Sequence, residues 1–180
     1  MDIGLLVLRL LAGLLVAGHG VQKVSFRLGG KGLAGGAAEF RGDGFRGGVL
    51  TALAAGGTQI GAGLLLAAGA FGPLAAAGVI GVMTVALTVK LPHGLWVQND
   101  GYEYPLVLMV LPAALTLTGP GRWSVDAVLG LTPWPAWWTP VAVAGGVGSG
   151  LVVRTLLHRP APTGSGAGPR TRPSDIRSGT

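Results

Sequence analysis

Five ionisable residues, His19, Lys23, Lys90, His93 and Glu103, stand at the edges of long apolar runs. If the runs are antiparallel helices, the turns after the first and third lie at one end of the bundle, and the five converge there. Histidine in such a place can relay a proton or hydrogen-bond a quinone head. Glu103 can act as an acid that pairs with Lys23, Lys90 or a histidine around a ligand. Gln59 lies about 15 Å into the second run, at 1.5 Å per residue, close to mid-membrane. At the opposite end are Arg9, Arg122 and Asp126. An arginine in a membrane helix is costly unless it snorkels or finds a partner. Asp126 is the carboxylate best placed by topology, so the sequence predicts an Arg9–Asp126 ion pair, with Asp2 as the second choice.

Each residue also has a plainer reading. His19 can serve as a polar contact between helices. His93 can face headgroups, Lys23 and Lys90 can snorkel, and Glu103 can favour the N-terminus of its own helix. Arg9 can reach headgroups from two turns deep. Haem ligation by His19 and His93 is disfavoured because neither lies in a companion motif. His158 borders the tail and is read as inert.

The elements that must position these residues are membrane helices. Of the 180 residues, 49% are apolar and 11% are charged, against about 25% charged in soluble domains. A span needs roughly 20 residues. Five apolar segments qualify or nearly do: Ile3 to Val24, Val49 to Gly69, Pro73 to Leu91, Tyr104 to Leu117 and Thr139 to Leu157. The fourth is short and needs Glu103 and Thr118 in the headgroup zone. The first carries Asp2 and Arg9 without a basic leader, so it reads as an uncleaved helix. The glycine-rich stretch from Arg27 to Arg46 reads either as a short interfacial helix or as an irregular loop. Four of the five tryptophans fall between Arg122 and Trp138, as an aromatic belt would place them. From Arg159 the chain is basic and rich in Pro, Gly and Ser, the composition of a disordered tail. The expected fold is an all-α polytopic bundle. Its domain organisation is a four-helix membrane domain over residues 1–130, an interfacial segment and fifth span over 131–158, and the tail over 159–180.

The +6 net charge falls mainly in two blocks, Lys23 to Arg46 and Arg154 to Arg177. Five spans put both on one side, which the positive-inside rule makes cytoplasmic, with the N-terminus outside. Flanking charge of this kind orients helices and does not point to nucleic acid. With no cysteine, these 180 residues hold no thiol nucleophile and no Cys-ligated metal. There is no phosphate loop, zincin motif or nucleophile elbow, and no metal site is expected. "GTQIG", Gly57 to Gly61, has the GxxxG spacing that allows close helix approach.

Four segments resemble the DoxX family of membrane proteins: "LLVLRLLAGLLVAGHGVQKV" (Leu5 to Val24), "GAGLLLAAG" (Gly61 to Gly69), "HGLWVQNDGYEYPLVLMV" (His93 to Val110) and "GPGRWSVDAVLG" (Gly119 to Gly130). They occur in the family's order, and the last two are the most specific. The resemblance implies a multi-pass protein of a prokaryotic plasma membrane linked to quinone or sulfur redox chemistry. Where the family often has a glutamate in its second helix, this chain has Gln59. The matching positions are Arg9, His19, Gly20, Lys23, His93, Gly101, Glu103, Arg122 and Asp126. The resemblance implies a subunit or anchor of a quinone-linked oxidoreductase complex, with quinone or a partner docking at His19, Lys23, Gln59, His93 and Glu103. Compatible partners are the lipid bilayer, a redox subunit and a second copy of the chain. A small-solute transporter using the same residues, and a scaffold in which they only join helices, stay open as alternatives.

Overall fold

The computed structural model describes residues 1–159. The tail from 160 to 180 lies outside the described residues. Seven helices form: α1 (Asp2–Val24), α2 (Gly32–Gly42), α3 (Val49–Ala68), α4 (Gly72–Lys90), α5 (Glu103–Thr118), the single turn α6 (Val125–Val128) and α7 (Trp138–Leu157). Among the described residues no β-strand forms, apart from one isolated bridge between Phe45 and His158. Helices α1, α3, α4 and α7 are long and apolar enough to cross a membrane. Helix α5 has 16 residues, about 24 Å at 1.5 Å per residue. It nevertheless runs from the Lys90–Asp100 end of the bundle to the Asp2–Arg122 end.

Two glycine-lined helix pairs carry the bundle. Helix α1 packs on α3, where a Cβ on Gly13 would lie 2.5 Å from Gly63 O, and one on Gly20 would lie 2.5 Å from Gly56 O. Helix α7 packs on α4, where a Cβ on Gly150 would lie 2.5 Å from Gly81 O. In lipid there is little hydrophobic gain in joining helices, so backbone approach at small residues supplies the contact. The expected Gly57–Gly61 face is not the one used. Both residues look into open space, and the close face is Gly56–Gly63, one position off at one end and two at the other. A core of Ala12, Val16, Leu66, Val79, Met83, Leu108 and Leu115 fills the space between the two pairs.

The stretch after α1 resolves its two readings as a helix. Gly36 of α2 sits so close to the end of α1 that a Cβ would lie 2.5 Å from Lys23 O. Phe40 of α2 receives the Lys23 ammonium over its ring at 5.0 Å. Large side chains such as Leu11, Leu14, Leu50, Leu64, Val110 and Leu156 remain exposed, forming the lipid-facing surface of a membrane bundle.

Candidate functional site

The residues expected to converge at one end of the bundle lie toward it, but they do not form one cluster. Lys23 pairs with Glu39 at 3.1 Å. Lys90 pairs with Asp100, and His93 Nδ1 lies 3.5 Å from the same carboxylate. The Lys90 hydrogen bond holds the Asp100 carboxyl below the usual carboxylate range. Glu103 accepts from the Val97 backbone N–H at 3.1 Å. Among the described residues it has no lysine, arginine or histidine within 4.0 Å. The expected Glu103 partnership with Lys23, Lys90 or a histidine is therefore not formed. Glu39 and Asp100 sit closer to the lysines, and the Leu95–Tyr102 turn folds back on the start of α5.

His19 has no carboxylate within 4.0 Å among the described residues. Its Nδ1 lies 2.9 Å from Leu15 O. A carbonyl can only accept, so Nδ1 carries the hydrogen and a neutral ring leaves Nε2 as an acceptor. The ring lies 5.3 Å from that of Tyr104 on α5, and both are half-buried. The Tyr104 hydroxyl is buried with no hydrogen-bond partner. So is Oε1 of Gln59, a residue 4% exposed. Gln59 is one turn from both Gly56 and Gly63, on the face of α3 that meets α1. Gly56 there backs onto Gly20, the neighbour of His19. Buried polar atoms are nearly always satisfied, so the Tyr104 hydroxyl and Gln59 Oε1 are exceptions to that rule. Sequence reasoning found His19 and Gln59 and missed Tyr104. The signal was present in the phenol at the start of an apolar run.

At the other end Arg9 and Asp126 are both buried, at 1% and 0% exposure, so Arg9 does not snorkel. The two are not directly paired. Arg9 Nη2 donates to Trp123 O at 2.6 Å. Asp126 accepts from Phe71 N at 2.7 Å, Gly72 N at 3.0 Å and Trp134 Nε1 at 2.9 Å. It caps the start of α4, whose free N–H groups attract a carboxylate. The expected Arg9–Asp126 ion pair is thus replaced by a knot around Gly69. Gly69 O accepts from Asp126 N, and a Cβ on Gly69 would collide with the Arg9 guanidinium. The second choice, Arg9–Asp2, is also not formed, because Asp2 pairs with Arg122 at 3.2 Å. A cavity of about 20 Å³ adjoins Arg9, Gly69, Pro112 and Trp134. That is room for about one water beside the unpartnered Nε and Nη1 of Arg9.

Apolar helices with backbone-close glycine seams, polar groups at both ends and a lipid-facing apolar surface define an integral membrane helical bundle. Residues 4–91 match the DoxX family model. The match spans α1 to the end of α4 and includes Arg9, His19, Lys23 and Gln59. The segments around Glu103 and Asp126 lie beyond it. Neither a curated protein nor a solved structure matches the chain.

Proposed function

We propose that this protein is a membrane subunit or anchor of a quinone-linked oxidoreductase complex in a prokaryotic plasma membrane, with its basic loops and tail cytoplasmic. The DoxX match supports the membrane setting. The observations that carry the ligand reading are the unpartnered Tyr104 hydroxyl, whose ring lies against the half-buried His19 ring, and the unpartnered Oε1 of Gln59 on the face of α3 that meets α1. A bound quinone would supply the redox chemistry. The Tyr104 hydroxyl would donate to its carbonyl oxygen. Gln59 Oε1 and His19 Nε2 would accept hydrogen when the head is in its hydroxyl form. Lys23, held by Glu39 of α2, and His93 and Glu103, held by loop groups, are left to position the turns around it or to meet a partner subunit.

The test is extraction in mild detergent followed by mass spectrometry of bound lipids. The expected result is stoichiometric quinone in the native protein. Tyr104→Phe should reduce it by about five-fold, the value of one hydrogen bond of about 1 kcal/mol. Because the hydroxyl has no protein partner to lose, the melting temperature should not fall. Native protein that carries no quinone sinks the redox reading. A purely structural role is then the second reading, favoured by the partners that Lys23, Lys90 and Glu103 already have.

A further inference from the structure

At the end of the bundle opposite the Arg9 knot, the loop after α2 is stitched to the end of α7. Arg46 N donates to Leu157 O at 2.9 Å, Arg159 N donates to Gly44 O at 2.8 Å, and the Phe45 ring meets the His158 ring edge-on at 5.3 Å. This stitching, together with Val89 at the end of α4, walls a groove of about 490 Å³. Its volume lies within the range of roughly 300–1,000 Å³ typical of small-molecule sites. Arg41 at the end of α2 and Arg154 and Arg159 at the end of α7 line it, together with His158. Among the described residues none of these arginines has a carboxylate within 4.0 Å. Arg154 Nη1 is buried without any hydrogen-bond partner. A guanidinium in that state lacks the acceptor that would offset its desolvation. The carboxylate in the lining, Asp43, has its carboxyl pushed up, first by desolvation and then by the neighbouring Glu39.

We infer that this groove is a binding site for a phosphate group, presented by an anionic phospholipid head or by free phosphate. Guanidinium groups bind phosphate oxygens in forked pairs, and basic pockets between membrane helices on the cytoplasmic side hold anionic lipid heads. The apolar side of Val89 suits the first acyl carbons of a lipid. Positive flanks that merely orient helices need no groove and leave no guanidinium nitrogen buried and unpartnered.

The test uses the full chain in detergent, with native mass spectrometry and thermal unfolding. Three probes are added separately: phosphatidylglycerol, phosphate-free diacylglycerol and inorganic phosphate. The variants are Arg154→Gln and the exposed Arg41→Gln/Arg159→Gln pair, with Arg27→Gln, outside the groove, as control. Phosphatidylglycerol should bind at least about tenfold more tightly than diacylglycerol, as two charge-assisted hydrogen bonds to its phosphate imply. Both groove variants should lose that preference and the control should keep it. Inorganic phosphate binding with the same variant dependence, without lipid preference, assigns the site to free phosphate. Equal binding of all probes, or equal loss in the control, overturns the inference. The exposed pair guards against a fold defect from the less exposed Arg154.

Discussion

Asp126 uses two oxygens to hold three donors from two places in the chain. Replacing it with Asn turns one acceptor into an amide that points at N–H groups. Asp126→Asn should destabilise the bundle by about 1–3 kcal/mol, the cost of leaving buried donors unsatisfied, read as a lower melting temperature in detergent. An unchanged temperature would mean that the knot around Gly69 holds without it. The sequence pointed to both Arg9 and Asp126 because charge is expensive in lipid. It could not say that the arginine would take a backbone carbonyl and the aspartate two backbone N–H groups. Those acceptors and donors exist only once the Ala70–Phe71 turn and the Trp123 loop have formed. Likewise Glu103 looked like a partner for the lysines. Glu39 and Asp100 reached them first, since a turn and a short helix brought carboxylates closer than the start of α5.

The spans themselves were legible nearly to the residue, because each apolar run is bounded by glycine, proline or charge. Which face of each helix packs was not legible. Helix α3 carries Gly56, Gly57, Gly61 and Gly63, so spacing alone offers several small-residue faces. The choice depends on the partner helix, where Gly13 and Gly20 stand seven residues apart like Gly56 and Gly63. A Cβ on Gly63 would lie 2.6 Å from both Ala17 N and Gly13 O, backbone atoms that cannot swing away. Gly63→Ala should therefore cost on the order of 1–3 kcal/mol by overpacking, while Gly61→Ala, facing open space, should cost nothing. Comparing the two melting temperatures checks the assignment. Equal behaviour of the pair would contradict the α1–α3 seam.

For the molecule as a whole, the contacts of the Gly44–Arg46 loop with Leu157 and Arg159 put the first basic block and the end of α7 on one side. An odd number of crossings follows, with α5 as the short one. With no native cysteine, single cysteines report this cleanly. In intact cells, an impermeant thiol reagent should label Val128→Cys, and should label Arg46→Cys and Gln98→Cys only after lysis. Labelling of Gln98→Cys together with Val128→Cys would remove α5 from the set of spans. The charge pattern had predicted the same arrangement from the positive-inside rule.

The same stitching sets an order of assembly. Synthesis runs from the N-terminus, and α1 can seat against α3 as soon as both have entered the bilayer. Gly44 O and Arg46 N have no such early option, because their partners belong to Arg159 and Leu157. The first loop to be made is thus among the last to find its permanent bonds, and the groove beside it comes into being only when the final helix arrives.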